Sequence, residues 1–210
     1  MEKEELNIIS SKINKLVEDF CKIKFKPIKF VPGETPIPCT GKVIDSNEIK
    51  NMIGASLDGW LTTGRFNTDF QNNLAKYLNV KKLITVNSGS SANLIAFSSL
   101  TSHLHKEKAV KPGDEVITVA AGFPTTVNPI IQNSAIPVFV DVKIPTYNID
   151  EELIEEAITK KTKAIMPVHW TGRVCNMDKI LKIAKKHNLI VIEDAAQSMG
   201  AYYKKKHAGT

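Results

Sequence analysis

Residues 189–197 read Leu-Ile-Val-Ile-Glu-Asp-Ala-Ala-Gln and carry the clearest indication of the fold class. Four consecutive apolar residues are typical of a strand that is buried on both faces in a parallel sheet. The carboxylate of Asp194 is then expected at the carboxyl end of this strand. In open α/β sheets that edge binds ligands, and a carboxylate there can pair with a cationic ring nitrogen. The alternative role for Asp194 is a helix N-cap, where aspartate is also favoured.

Similar apolar runs recur upstream and alternate with segments of helical periodicity. The predicted strands lie at 83–86, 115–119, 137–140 and 164–168, and the predicted helices at 2–22, 46–57 (with Ser46 as its N-cap), 67–78, 94–104 and 177–187. This alternation predicts right-handed crossovers and a mostly parallel sheet with flanking helices, which is an α/β fold. Because parallel strands end at one sheet edge, Ser88–Ser91, Phe123, His169 and Asp194 are expected to converge there.

A turn of small residues, Asn87-Ser-Gly-Ser-Ser-Ala-Asn93, follows the first of these apolar runs. A strand, such a turn and a helix start place free backbone N–H groups at the positive end of a helix dipole, which forms a cradle for an anion, most naturally a phosphate. The turn matches neither GxGxxG nor the P-loop pattern, and this disfavours a dinucleotide or nucleoside triphosphate site. A serine-capped turn without a ligand is the alternative.

An anion cradle, an aromatic ring and a carboxylate together describe a site for pyridoxal 5′-phosphate (PLP). Phe123 could cover a flat ring, although core packing is its alternative role. Asp194 would keep the pyridine nitrogen protonated, so that the ring can accept electrons from a neighbouring carbanion. The three features on one sheet edge favour PLP as the cofactor.

The N-terminal part of the chain is organised differently. Residues 1–43 are predicted to form a helix followed by a Pro-rich arm, and residues 44–210 a PLP-binding large domain. Four prolines make regular structure improbable in the arm. The loop Asp58–Arg65 carries hydroxyl groups, glycines and one arginine suited to an anionic group, with a simple turn as the alternative.

Composition narrows the class of protein. A chain of 210 residues, 42% of them hydrophobic, suits one large α/β domain. The formal charge of +6 comes from scattered lysines without interleaved aromatics, so no nucleic-acid role is expected. No apolar run could span a membrane and the charged N-terminus is unlike a signal peptide, so a cytoplasmic location is expected. Cys21, Cys39 and Cys175 are far apart and are expected to be free thiols, not metal ligands.

The chain resembles the DegT/DnrJ/EryC1/StrS family of sugar aminotransferases from about Gly41 onward. The motifs that carry the resemblance are Asp58-Gly-Trp-Leu-Thr-Thr-Gly-Arg65, Ser88-Gly-Ser-Ser-Ala-Asn93, Lys111-Pro-Gly-Asp-Glu-Val116, Pro167-Val-His-Trp-Thr-Gly172 and Glu193-Asp-Ala-Ala-Gln197. The resemblance implies the large domain of the aspartate-aminotransferase-like fold. It also implies a PLP-dependent homodimer that acts on a nucleotide-linked keto sugar with an amino donor.

The resemblance assigns roles to individual residues. Gly89, Ser90 and Ser91 would hold the cofactor phosphate, and Phe123 would stack on the ring. Asp194 would pair with the ring nitrogen, and Gln197 would reach the phenolic oxygen of the ring. The candidate substrate residues are Thr63, Arg65 and His169.

Two branches of the family are mixed in this chain. From Phe30 to Thr126 the motifs resemble the branch that removes the 3-hydroxyl of CDP-4-keto-6-deoxyglucose. In contrast, His169-Trp-Thr-Gly-Arg173 and Gln197 resemble the transaminating branch, since the dehydrase branch usually has another acid at the position of Gln197. Because Gln197 would touch the cofactor, amino transfer to a keto-deoxy sugar for lipopolysaccharide or O-antigen synthesis is predicted first, and 3-dehydration is the alternative.

The resemblance further places the lysine or histidine that completes the active site beyond Thr210, together with a small C-terminal domain. Lys204, Lys205 and Lys206 are not candidates for it, since they fall in a turn before that segment. The chain by itself is therefore expected to bind the cofactor weakly and noncovalently and not to turn over. A non-catalytic binding module is the third alternative.

Overall fold

The computed structural model describes residues 2–38 and 41–210, and their contacts divide the chain into two units, Met1–Asn73 and Leu74–Thr210. The first unit holds helices α1 (Glu2–Lys24) and α2 (Ser46–Leu57) and most of α3 (Arg65–Leu78). Val17 and Cys21 are the buried residues of α1. Between α1 and α2, residues 26–38 contain neither helix nor strand, as their prolines predict. Cys39 lies outside the described residues.

Helix α2 begins at a capping box. The Asp45 side chain accepts a hydrogen bond from the Asn47 backbone N–H (2.6 Å), and the Glu48 side chain accepts one from the Asp45 N–H (2.7 Å). These two acceptors satisfy donors that the helix start leaves open. The predicted N-cap, Ser46, is therefore wrong by one residue: Asp45 caps the helix and Ser46 is its first residue.

The second unit is built around a parallel sheet of four strands. They are β1 (Glu115–Val119), β2 (Ile136–Val140), β3 (Thr162–Met166) and β4 (Ile190–Val191), in the order β2-β1-β3-β4. In register, Ile117 lies opposite Val138 on one side and Ile165 on the other. The prediction of a mostly parallel sheet is confirmed. A separate hairpin follows, formed by β5 (Tyr202–Tyr203) and β6 (Lys206–His207).

Three helices flank this sheet: α4 (Gly89–Ser99), α5 (Pro124–Gln132) and α6 (Met177–His187), with short 3-10 turns at His103–Lys108 and Trp170–Gly172. Side chains of a strand alternate between its two faces, and the core divides accordingly. Ile117 and Ile165 pack with Ile180 of α6 in one cluster. Their strand neighbours, together with residues of α4 and α5, form the other cluster: Phe97, Val116, Ile130, Ala164 and Met166. The predicted α/β architecture with flanking helices is confirmed.

Several predicted elements differ from the structure. The smaller differences are shifts of one or two residues: α1 ends at Lys24, α3 begins at Arg65, β2 begins at Ile136 and β3 spans Thr162–Met166. Residues 83–86 are not a strand, because β-branched composition only favours a ladder and the fold decides where one forms. The next helix begins at Gly89, not at Leu94, and ends at Ser99. Strand β4 has only two residues, both half-buried, and lies at the end of the four-stranded sheet, so the expected burial on both faces is wrong. In the described part of the chain, no helix is both long and apolar enough to cross a membrane.

Candidate active site

Asp194 lies just beyond β4, where its backbone continues the pairing with β3. Its N–H donates to the Pro167 carbonyl (2.9 Å), and its carbonyl accepts the His169 N–H (3.1 Å). Val168 and Asp194 form a parallel bridge past the ends of both strands. The side chain is buried, with 6% of the residue exposed. Because no helix starts at Asp194 in the described structure, the N-cap alternative is wrong; the carboxylate instead accepts the N–H of Ala196 (3.2 Å).

Two side chains, one from α4 and one from α5, hold the carboxylate of Asp194. Asn93 of α4 donates its Nδ2 to Asp194 Oδ2 (2.8 Å), and Thr126 of α5 donates its Oγ1 to the same oxygen (2.7 Å). These contacts link residues 101 and 68 positions apart in the sequence. They join α4 and α5, whose first turns follow the Ser88–Ser91 motif and Phe123, to the end of the sheet at Asp194.

The start of α4 has the form expected of an anion cradle. Ser88 is the N-cap, and its Oγ accepts the Ser91 N–H (3.2 Å). Gly89 and Ser90, the first two helical residues, are exposed, and a Cβ added to Gly89 would meet no atom within 4 Å. Their N–H groups belong to the set that a helix start leaves without intrahelical acceptors. One turn of helix, about 6 Å, separates them from Asn93 and the carboxylate that it binds.

Phe123 is the residue before α5 and is 54% exposed, so core packing is not its role in the described structure. Its ring lies 5.8 Å from the ring of Trp170, centroid to centroid, at a tilt of 45°. The Trp170 backbone N–H is held by Asn148 Oδ1 (3.0 Å). Phe123 therefore presents an exposed aromatic surface beside Trp170, three residues before Thr126, which binds Asp194.

Gln197 is exposed and contacts the loop that follows β3. Its Oε1 accepts the Thr171 N–H (2.7 Å), which leaves its amide nitrogen as a donor. The neighbouring Gly172 has φ +83°, and a Cβ at this position would lie 2.9 Å from the Gln197 carbonyl oxygen. The two motifs that resemble the transaminating branch therefore touch each other.

His169 is fully buried, and both of its ring nitrogens have protein partners. The Cys175 N–H donates to Nδ1 (3.2 Å), and Nε2 lies 2.7 Å from Glu193 Oε2. A backbone N–H can only donate, so the ring proton is on Nε2 and points at the Glu193 carboxylate. Glu193 Oε2 also accepts the Gly209 N–H (2.9 Å). His169 thus ties the loop after β3 to the segment around Gly209.

Two titratable groups of the second unit, Cys175 and Lys204, have pKa values raised above their ordinary values. Burial raises the pKa of the Cys175 thiol to about 12, so the group stays protonated, which fits a free buried thiol; Cys21 is likewise free and buried. In the β5–β6 hairpin, a hydrogen bond to Asp178 raises the pKa of Lys204. A lysine that forms a covalent bond with a carbonyl needs a lowered pKa instead. Within the described ranges, no three His, Cys, Asp or Glu side chains cluster as metal ligands.

Thr63 and Arg65 belong to the first unit. Arg65 makes a two-pronged ion pair with Asp58 (Nε to Oδ2, 2.7 Å), and this hydrogen bond lowers the pKa of Asp58 and raises that of Arg65. The Thr63 carbonyl accepts the indole N–H of Trp60 (3.0 Å). Both residues line a hollow of about 350 Å³. The charge of Arg65 is thus already balanced within its own loop.

Sequence reasoning missed Asn93, Thr126 and the link between His169 and Glu193. The first two do carry a signal, because each lies in a motif that follows a strand or turn of the sheet edge: Ser88–Asn93 and Ala121–Thr126. Polar residues one turn inside a helix can reach across to a neighbouring strand end. Where such side chains point depends on how the helices pack, and the sequence alone does not reveal this packing.

Fold and site together define an α/β protein with an open, serine-capped helix start, an exposed aromatic and a buried carboxylate at one sheet edge. The chain belongs to the DegT/DnrJ/EryC1/StrS aminotransferase family, whose model matches residues 42–210. The family is PLP-dependent. This confirms the resemblance drawn from the motifs, the fold that it implied, and membership of an enzyme family.

Similar proteins support the same class. The lipopolysaccharide biosynthesis protein RfbH of Salmonella typhimurium LT2 is 52% identical over 97% of this chain and 47% of its own length. The dTDP-4-dehydro-2,6-dideoxy-D-glucose 3-dehydratase of Saccharopolyspora spinosa is 44% identical over 86% of this chain and 39% of its own length. The structure of the E. coli GDP-4-keto-6-deoxy-D-mannose-3-dehydratase with bound hydrated PLP has a TM-score of 0.78 and 36% identity, and covers 82% of this chain and 44% of that one. The chain thus spans less than half the length of these proteins.

Proposed function

We propose that this chain is the cofactor-binding portion of a PLP-dependent enzyme that modifies a nucleotide-linked keto-deoxy sugar for cell-surface polysaccharide synthesis. The observation that carries the proposal is the buried carboxylate of Asp194, fixed one helical turn from the open start of α4. The PLP dependence of the family and the lipopolysaccharide role in the name of the 52% identical relative support it.

The described side chains fit the parts of PLP. The N–H groups of Gly89 and Ser90 and the hydroxyl of Ser91 would bind the phosphate, because the helix dipole favours a dianion there. Phe123 would cover one face of the ring, and the amide nitrogen of Gln197 would donate to the phenolic oxygen. Asp194 would hold a proton on the ring nitrogen by a charge-assisted hydrogen bond.

When bound, PLP supplies an electron sink for the carbon next to its amine. The residues of this chain would determine the protonation of the bound cofactor. Asp194 keeps the ring nitrogen cationic, and this makes the ring a better sink. Thr63, Arg65 and His169 remain predicted substrate residues; in the described structure His169 would act through Glu193 and the loop after β3, not by direct contact.

Amino transfer is the reaction that we propose first. Gln197 supports it, because an amide can donate to a phenolic oxygen and an ionised acid at this position could not. The contact of Gln197 with Thr171, together with the close approach of Gly172, supports it further, since both motifs resemble the transaminating branch. The enzyme would then place an amino group from an amino donor on the sugar carbonyl.

The second candidate is 3-dehydration of the keto sugar. It is favoured by the 44% identity to a protein named as a 3-dehydratase and by the match to the E. coli 3-dehydratase structure. The two reactions differ in product, so the family-length protein that contains this chain would be incubated with a nucleotide-linked 4-keto-6-deoxy sugar and glutamate. A product that gains nitrogen supports amino transfer, and one that loses the 3-hydroxyl supports dehydration. Cytoplasmic location and homodimerisation stay predictions from the resemblance.

Cofactor binding is tested by replacing Asp194. We expect Asp194→Ala to abolish measurable binding of pyridoxamine 5′-phosphate (PMP) in calorimetry, because the ring nitrogen loses its partner. PMP is the suitable probe, since it has no aldehyde that could react with surface lysines. The control is Asp178→Ala, which removes an exposed aspartate paired with Lys204 and should leave PMP affinity unchanged. Equal affinity of the Asp194 variant and the unsubstituted chain would refute the site.

A further inference from the structure

We infer that Asn93 and Thr126 are positioning residues that fix the orientation of the Asp194 carboxylate, so that the oxygen they leave free meets the ring nitrogen of the cofactor. The inference rests on the proposed function, since it concerns the same carboxylate. Both side chains donate to Oδ2, at 2.8 and 2.7 Å. Oδ1 accepts only the Ala196 N–H, at 3.2 Å, among the described residues.

A carboxylate oxygen has room for about two strong donors in its plane. Oδ2 is therefore filled, whereas Oδ1 keeps a place for one more donor. A protonated ring nitrogen carries one N–H, and Oδ1 is the oxygen that can accept it. Because a rotation of the carboxylate out of its present plane would break two short hydrogen bonds inside a buried site, this plane is fixed before the cofactor arrives.

The two donors also come from the two elements that would contact the rest of PLP. Asn93 lies in α4, whose first residues would form the phosphate cradle. Thr126 lies in α5, the helix that begins directly after Phe123. Thr126 is 1% exposed and its backbone N–H donates to the Phe123 carbonyl (3.0 Å). Asn93 and Thr126 thus connect the carboxylate to the two helices that would contact the phosphate and the ring of PLP.

A purely structural role would be that a buried carboxylate needs hydrogen-bond partners for folding. The two roles are separated by ligand chemistry. Binding of PMP depends on the ring nitrogen, whereas an analogue with carbon in place of that nitrogen shares the phosphate and the ring but offers no N–H. A positioning residue alters the preference for PMP over this analogue, and a structural residue alters both affinities together.

The chain offers a matched control for Thr126. Thr118 is also a fully buried threonine, and its hydroxyl donates to the Met166 carbonyl (3.0 Å), not to Asp194. The test measures the dissociation constants of PMP and the carbon analogue for Thr126→Val, Thr126→Ser and Thr118→Val by calorimetry. Asn93 is only half-buried, so Asn93→Ala provides a second variant that folds even where Thr126→Val does not.

We expect Thr126→Val and Asn93→Ala each to reduce the preference for PMP about tenfold, which corresponds to the loss of one hydrogen bond to a charged group. Thr126→Ser restores the hydroxyl and should restore the preference, and Thr118→Val should keep it. An unchanged preference in both Thr126→Val and Asn93→Ala, while Asp194→Ala abolishes PMP binding, overturns the inference alone. An unaltered preference in Asp194→Ala itself overturns the proposed function with it.

Discussion

Gly172 lies where two loops of the candidate site are in close contact. Its φ of +83° is in the left-handed region that favours glycine, and a Cβ there would lie 2.9 Å from the Gln197 carbonyl oxygen. The same loop donates the Thr171 N–H to the Gln197 side chain. A side chain at position 172 would therefore push Gln197 away from the place where it is proposed to meet the cofactor.

We predict that Gly172→Ala destabilises the chain more than its backbone conformation alone explains. A left-handed alanine costs about 1–2 kcal/mol, and the overlap with a backbone carbonyl adds about 1–3 kcal/mol. Gly113→Ala is the matched control, because Gly113 has φ +84° and open space around it. Free energies of unfolding from urea titration measure both. Equal losses in the two variants would show that the close approach to Gln197 does not exist.

Individual residues of the site differ in how far the sequence reveals them. Asp194 was predictable, since a carboxylate directly after an apolar run lies at a strand end. The donors to its side chain were not, because Asn93 and Thr126 are 101 and 68 positions away and meet it only through helix packing. The full burial of His169 was not predictable for the same reason, because its partner Glu193 follows a different strand.

At the scale of elements, helix α4 has the most direct link to function. Its N-cap Ser88 closes the first turn through Ser91, and this leaves Gly89 and Ser90 facing open space. The predicted helix began at Leu94 because its apolar periodicity starts there, whereas the Gly-Ser-Ser segment reads as a turn. The helix begins directly after its N-cap, Ser88. A serine side chain can act as an N-cap only where the backbone has the right conformation.

We predict that Ser88→Ala lowers the free energy of unfolding by about 1 kcal/mol and also weakens PMP binding, since the loss of an N-cap frays the first turn. The control is Ser99→Ala at the other end of α4, where the hydroxyl donates to the Ala96 carbonyl (2.7 Å). That variant should keep PMP affinity. Weaker PMP binding of similar size in both variants would mean that the helix start has no special role.

The strand elements show the limit of local patterns. The runs at 115–119 and 137–140 became β1 and β2 nearly as predicted. The run at 83–86 did not become a strand, and the run at 189–192 retained only two strand residues. All four have similar composition. A strand needs a ladder, and which runs obtain one depends on the order β2-β1-β3-β4, which no single run encodes.

At the scale of the whole molecule, the fold of the second unit follows from the alternation of strands and helices along the chain. Parallel strands bring their carboxyl ends to one edge, so residues far apart in the sequence form a site there without any local signal. The edge gathers the open start of α4, which we propose as the phosphate cradle, an exposed aromatic and a fixed carboxylate. Convergence of these parts was predictable from topology, whereas the polar contacts that hold them required the packed structure.

The most direct measurement is a crystal structure of this chain with PMP. We predict that the phosphate accepts hydrogen bonds from the N–H groups of Gly89 and Ser90, and that Phe123 covers the ring. We further predict that the ring nitrogen lies within hydrogen-bond distance of the Asp194 oxygen that Asn93 and Thr126 leave free. PMP bound with its phosphate away from α4, or with its ring nitrogen turned from Asp194, would contradict the proposed site.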